Sequence, residues 1–183
     1  MIEIKFDERL LAQAETILSA IPDGTRKACA RAINRSLTAA NTQTSKGARA
    51  EYLVKADAVK ATIQNTKATA SFLTGVFKST GNVIKLGDFR ARQGKNALTA
   101  AVKRGTGSKK IANAFIATAH SGFRGVLQRE NSAAYPLKPL YGPSVPQMIG
   151  NEKVHSVVEK RAYEVLNQRL EHEIDALISG YGG

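Results

Sequence analysis

Acidic residues are nearly absent from the middle of this 183-residue chain. Between Arg26 and Arg129 there are only three (Glu51, Asp57 and Asp88), against 20 Lys and Arg. Tryptophan is missing and aromatics make up only 6%. The core must then rest on Ala, Val, Ile and Leu, which predicts a thin core and an extended shape completed by neighbouring subunits. With one cysteine, Cys29, no intramolecular disulfide can form. No apolar run approaches the roughly 20 residues of a bilayer span. Met1 to Phe6 alternates charged and apolar residues, unlike a secretory signal. These absences predict a soluble chain made in a reducing cytoplasm, with no membrane contact.

What is present is segregated charge. Those 20 bases and three acids give the middle a net +17; residues 1–25 hold 2 bases and 5 acids, and residues 130–183 hold 5 bases and 7 acids. A polycationic body between two mildly acidic ends points to polyanions or acidic partner subunits. At 43% apolar residues the chain has enough to build a core. The pattern predicts one α+β domain over 1–183, a small mostly antiparallel sheet flanked by long helices. Its segments are an N-terminal strand and helices (1–66), a basic β region (67–130), a proline-rich extended arm (131–150) and a long C-terminal helix (151–179).

Ile2, Ile4 and Phe6 alternate with charged residues, the period of a strand. Asp7 is placed to cap a helix carrying Leu10, Leu11, Ala14, Ile17 and Leu18, which ends at the turn signal Ile21-Pro22-Asp23-Gly24. A second helix is predicted from Asp23 or Thr25 to about Arg49, with the stripe Cys29, Ile33, Leu37 and Ala40. So weakly apolar a helix is expected to pack on a partner. A short helix over Asp57–Gln64 follows. Phe72, Val76 and Phe77 then lead through Ser79-Thr80-Gly81-Asn82, a hairpin signal, to a strand with Val83, Ile84 and Leu86. Further strands are predicted at Leu98–Lys103, Ala114–Ala117 and Val126–Arg129, with a basic loop at 104–110. Four of the five prolines fall within Tyr135–Met148, which excludes a helix or central strand there and predicts a stiff arm. Asn151 is placed to cap a last helix with a stripe from Val154 to Ile178, closed by Gly180.

Catalytic chemistry finds little support. Gly105 to Lys110 lacks the Gly-x-x-x-x-Gly-Lys-Ser/Thr spacing of a phosphate loop. His120, His155 and His172 are far apart, and none sits at metal-ligand spacing from a second ligand. Cys29 lies on an apolar stripe, where cysteine is usually a small buried hydrophobe. Glu51, Asp57 and Asp88 are too isolated for an acid–base pair. The reading is a protein that is not an enzyme and carries no cofactor or metal. A basic nuclease or toxin lacks the cluster it would need. The basic middle suits phosphate neutralisation, but lacks the aromatics of a single-strand reader.

Four stretches, taken together, resemble the minor tail protein Z family of tailed bacteriophages, the tail-completion proteins. They are Arg31-Ala32-Ile33-Asn34-Arg35, Val83-Ile84-Lys85-Leu86-Gly87, Ala114-Phe115-Ile116 with Val126-Leu127-Gln128-Arg129, and Tyr135-Pro136 leading to Gly142-Pro143-Ser144-Val145-Pro146-Gln147-Met148. The likeness covers roughly residues 22 to 178 and departs from the family pattern over Gln93–Lys110. It implies a virion protein at the head-proximal end of the tail, beside the tail terminator and neck proteins. There it would assemble as a ring, sixfold by analogy with tail symmetry, and help join tail to head.

The arm is then the expected subunit or partner interface, through Leu140, Tyr141, Gly142, Pro143, Val145, Pro146 and Met148. Arg31, Arg35, Lys103, Arg104, Lys109, Lys110 and Arg129 are the expected contacts to an acidic partner or to genomic DNA in the channel. The alternative reading is a basic module that binds nucleic acid non-specifically.

Overall fold

A computed structural model describes residues 2–5, 22–95, 97–119, 122–131 and 133–179. The helix expected from Asp7 to Leu18, the cap at Gly180 and His120 lie outside the described residues. Long helices and small antiparallel sheets make the fold α+β. Contacts divide the chain into two units. The first gathers the chain up to Thr44, Ile63–Ser79 and the chain from His155; the second gathers Ser45–Thr62 and Thr80–Val154.

The first unit centres on β3 (Thr74–Ser79), which pairs antiparallel with β1 (Ile2–Lys5) on one side and β2 (Ile63–Thr66) on the other. Helix α1 (Pro22–Glu51) begins within the expected turn, because proline in a first turn gives up an N–H that has no helical partner anyway. Its stripe Cys29, Ile33, Leu37 and Ala40 is buried, joined by Ala28 and Ala32. Gly75 of β3 lets α1 come close: a Cβ there would lie 2.6 Å from Ile33 Cγ2 and 2.9 Å from Leu37 Cδ1. Helix α4 (Glu152–Ile178) buries Val154, Val158, Ala162, Leu166, Leu170 and Leu177 of the expected stripe and half-buries Val165 and Ile174, but leaves Ile178, expected to end the stripe, exposed. The buried Ser36 hydroxyl donates to the Ala162 carbonyl at 2.6 Å. The expectation that α1 packs on a partner is therefore corrected. Its alanines and serine let strand and helix of its own chain approach closely, so a thin stripe suffices.

The second unit is built from short ladders. β4 (Val83–Lys85) pairs with β11 (Tyr141–Ser144); β5 (Arg90–Gln93), β6 (Leu98–Ala101) and β7 (Lys109–Ile111) form a meander; β9 (Arg124–Arg129) lies between β8 (Ala114–Thr118) and β10 (Leu137–Pro139). Leu86, Phe89, Leu98, Val126 and Leu127 are buried in it, with Val59 of α2 (Ala56–Lys60).

Three expectations fail here. The 79–82 hairpin does not form, since β4 takes β11 as its partner; Thr80 N–H instead donates to Thr62 O at 2.9 Å. The short helix ends at Lys60, and Ile63–Thr66 is a strand. The proline-rich segment does hold a helix, α3 (Val145–Ile149). Ser144 caps it, with Gln147 closing a capping box and Pro146 in the first turn, where proline is tolerated. Two further stretches of the segment, Leu137–Pro139 and Tyr141–Ser144, are paired as strands rather than free. Pro139 sits on the edge strand β10, and the β11 register shifts between Tyr141 and Ser144, around Pro143.

Candidate partner-binding surfaces

Net charge follows the two units. The first holds 11 Lys and Arg against 10 Asp and Glu, and the second 16 against 5, so nearly all of the +12 belongs to the second.

Four of the expected cations come together in that unit. Lys103 forms an isolated bridge with Tyr52, and its Nζ lies over the Tyr52 ring, 5.6 Å from the centroid. Arg104 is anchored at the C-terminal end of α1: its N–H donates to Glu51 O at 2.9 Å and its Nε to Arg49 O at 2.6 Å. A cation there complements the negative end of the helix dipole. Lys109 and Lys110 lie opposite Ala100 and Thr99 across the β6–β7 ladder. Gly107, with φ 66°, turns the chain between Arg104 and β7 in a conformation that favours glycine. Lys103, Lys109 and Lys110 line a hollow of about 880 Å³ whose apolar lining includes Leu86, Ile111 and Pro143. A second hollow of about 140 Å³ shares Lys103 and adds Arg90 and Arg104. Arg90 is absent from the sequence-derived set. The Arg90-x-Arg92 alternation carries the missing signal, since residues two apart on a strand share a face. Register puts both on the same face of the meander as Lys110.

The other three cations line neither hollow. Arg129 is exposed and packs its guanidinium over Phe115, 4.9 Å from the ring centroid. Arg35 is exposed on α1 in the first unit. Arg31 is corrected: its Nε pairs with Glu173 Oε2 of α4 at 2.6 Å, so its charge already has a partner within the chain.

The arm residues also separate. Val145 is 2% exposed and Met148 0%, so both belong to the chain's own core and are corrected as interface residues. Gly142 packs against the Phe89 ring, which a Cβ would overlap. Leu140, Pro143 and Pro146 are half-buried, and Tyr141 is 46% exposed. Tyr141 meets Phe123 edge-on at 6.0 Å, and Lys85 Nζ sits 4.8 Å from the Phe123 centroid. Lys85 and Phe123 are part of this surface cluster without having been expected, because the β11–β4 pairing of Lys85 with Tyr141 and the ring contacts of Phe123 are long-range.

Residues considered for catalysis are dispersed. Cys29 is buried, His155 Nδ1 lies 3.3 Å from Glu159, and His172 is exposed. Among the described residues no group of three His, Cys, Asp or Glu is placed to hold a metal ion, and no helix is long and apolar enough to cross a membrane.

The stretches that carry the family resemblance turn out to be joints of the fold. In Ala-Ile-Asn-Arg, Ala32 and Ile33 are fully buried. Both ends of the Asn34 carboxamide hold Ala68: Nδ2 donates to its carbonyl at 3.0 Å, and Oδ1 accepts from its N–H at 2.9 Å. Gly-Pro-Ser-Val-Pro supplies the bulge, the cap and the first turn of α3. Comparison with curated proteins gives no match, and neither does comparison with solved structures. The family model for prophage minor tail protein Z, however, matches residues 11–179, spanning α1 and these joints through to the end of α4, and the chain therefore belongs to that family of structural phage-tail proteins.

Proposed function

We propose that this chain is a tail-completion subunit at the head-proximal end of the tail. It assembles as a closed ring, hexameric by analogy with tail symmetry, and helps join tail to head beside the terminator and neck proteins. It is made in the host cytoplasm and carried into the virion, and its role is structural rather than catalytic. The observation that carries this reading is the surface cluster of Tyr141 and Lys85, paired across the β11–β4 ladder, with Phe123 packed beside both. Among the described residues this ladder has two strands only. Two strands alone are marginal in water, and an open edge with a half-exposed aromatic is a ready docking surface for a neighbour. Leu140, Pro143 and Pro146 flank it. The test is a phage lacking this protein, supplied in trans with either the wild-type chain or Tyr141→Ala/Pro143→Ser. Wild type restores joined particles, and the variant leaves heads and tails separate. Full joining by the variant would overturn the assignment of this surface.

A second reading is favoured by the cations about the two hollows. Duplex DNA, including the genome where it passes the ring, would meet Arg90, Lys103, Arg104, Lys109 and Lys110. Retention of duplex DNA by the purified chain, falling steeply with salt, supports it; no retention at low ionic strength removes it.

A further inference from the structure

One side of α4 points to what the larger hollow receives. Val157, Glu164, Glu171 and Ile178 follow at intervals of seven residues and are all exposed, with Asp175 one turn before Ile178. Seven residues bring a helix almost back to the same face, so these side chains form one stripe, apolar at both ends and acidic between. Glu164 already pairs with Arg161 at 3.1 Å. Among the described residues, Glu171 and Asp175 form no ion pair. Two like charges one turn apart repel, and Ile178 beside them is 64% exposed. From Glu171 to Ile178 the helix rises about 10 Å.

The hollow has the opposite character: three lysines and an apolar lining that includes Leu86, Ile111 and Pro143, in about 880 Å³. A phosphate backbone gains nothing from an apolar lining, whereas a helix end with two carboxylates and an isoleucine uses both parts. Charge also favours a second copy as the occupant. Chains of net +12 repel one another. Hollow against hollow deepens that repulsion, while hollow against acidic helix end relieves it. Such a contact joins two different patches and repeats from copy to copy until a ring closes.

We infer that the last two turns of α4 of one copy, through Glu171, Asp175 and Ile178, dock in the hollow lined by Lys103, Lys109 and Lys110 of the next copy. The inference rests on the ring reading and names the contact that builds the ring.

Native mass spectrometry of the full-length chain tests it with four proteins, each first checked for wild-type helix content by circular dichroism. Wild type assembles at low ionic strength. Lys103→Glu/Lys109→Glu/Lys110→Glu lowers the association constant about tenfold or more, as expected when unlike charges at a contact are made alike. Adding Glu171→Lys/Asp175→Lys to that chain swaps the charges and restores assembly. Ile178→Asp, which leaves the lysines untouched, weakens assembly without changing retention of duplex DNA. If the lysine-reversed protein assembles like wild type, this contact is wrong while the ring stands. If it also loses DNA retention, the hollow is a nucleic-acid site instead. Loss of assembly that the swap does not restore removes α4 as the occupant. Wild type that stays monomeric at every ionic strength, even with the terminator protein, overturns the ring reading itself.

Discussion

The two units handle polar groups in opposite ways. In the first, bases and acids nearly balance, and three polar side chains near its core are satisfied within it: Arg31 by Glu173, Asn34 by both backbone groups of Ala68, Ser36 by the Ala162 carbonyl, while the buried Asn41 Oδ1 has no partner among the described residues. In the second, 16 bases face 5 acids, and cations gather at hollows and on aromatic rings. Chemically similar side chains thus hold one unit together and are displayed by the other. Apart from the exposed acidic end of α4, the first reads as scaffold, and the second as the larger display of unpaired charge.

Core truncations make the largest break in that comparison. Phe77→Ala in the first unit and Leu98→Ala in the second remove fully buried side chains, so each costs about 3–5 and 2–5 kcal/mol respectively, read from denaturant unfolding. Next is Gly75→Val, where the added side chain collides with Ile33 and Leu37. Overpacking of this kind costs about 1–3 kcal/mol, with added strain where the neighbours cannot yield, and thermal unfolding reports it. Asn34→Ala leaves the two Ala68 backbone groups without their partner and costs about 1–3 kcal/mol; faster hydrogen exchange at Ala68 N–H localises the loss. Ser144→Ala removes the α3 cap and costs about 1 kcal/mol. Smallest are Lys109→Ala and Lys110→Ala, which change stability by no more than about 0.5 kcal/mol yet weaken whatever fills the hollow. A large stability loss from the lysine changes, or a small one from Asn34→Ala, would erase the contrast between scaffold and display.

Legibility in the sequence followed the range of the interactions. The stripes of α1 and α4, the Asn151 cap and the β8–β9 hairpin depend on neighbours a few residues away, and periodicity alone locates them. Lys153 N–H indeed donates to Asn151 Oδ1 at 3.1 Å. The β4–β11 pairing spans nearly sixty residues, and nothing local announces it. That is why Ser79 to Asn82 read as a hairpin turn. The proline-rich segment misled for a related reason. Proline bars a helix interior but not a first turn, and only the Ser144–Gln147 capping box distinguishes the two. Of the proposed contacts, Lys103, Arg104, Lys109 and Lys110 were visible as a run of charge. The hollow that gathers the lysines depends on β6–β7 register and on Pro143 arriving from β11. Arg31 was misjudged because its partner, Glu173, lies 142 residues away.

The most direct test of the central claim is cryo-electron microscopy of tails purified before head attachment, with this chain carrying a small fused tag. The account predicts one ring of tag density at the head-proximal end, with β11 and Tyr141 facing an adjoining protein. Tag density distributed along the tube, or none on the tail at all, would contradict it.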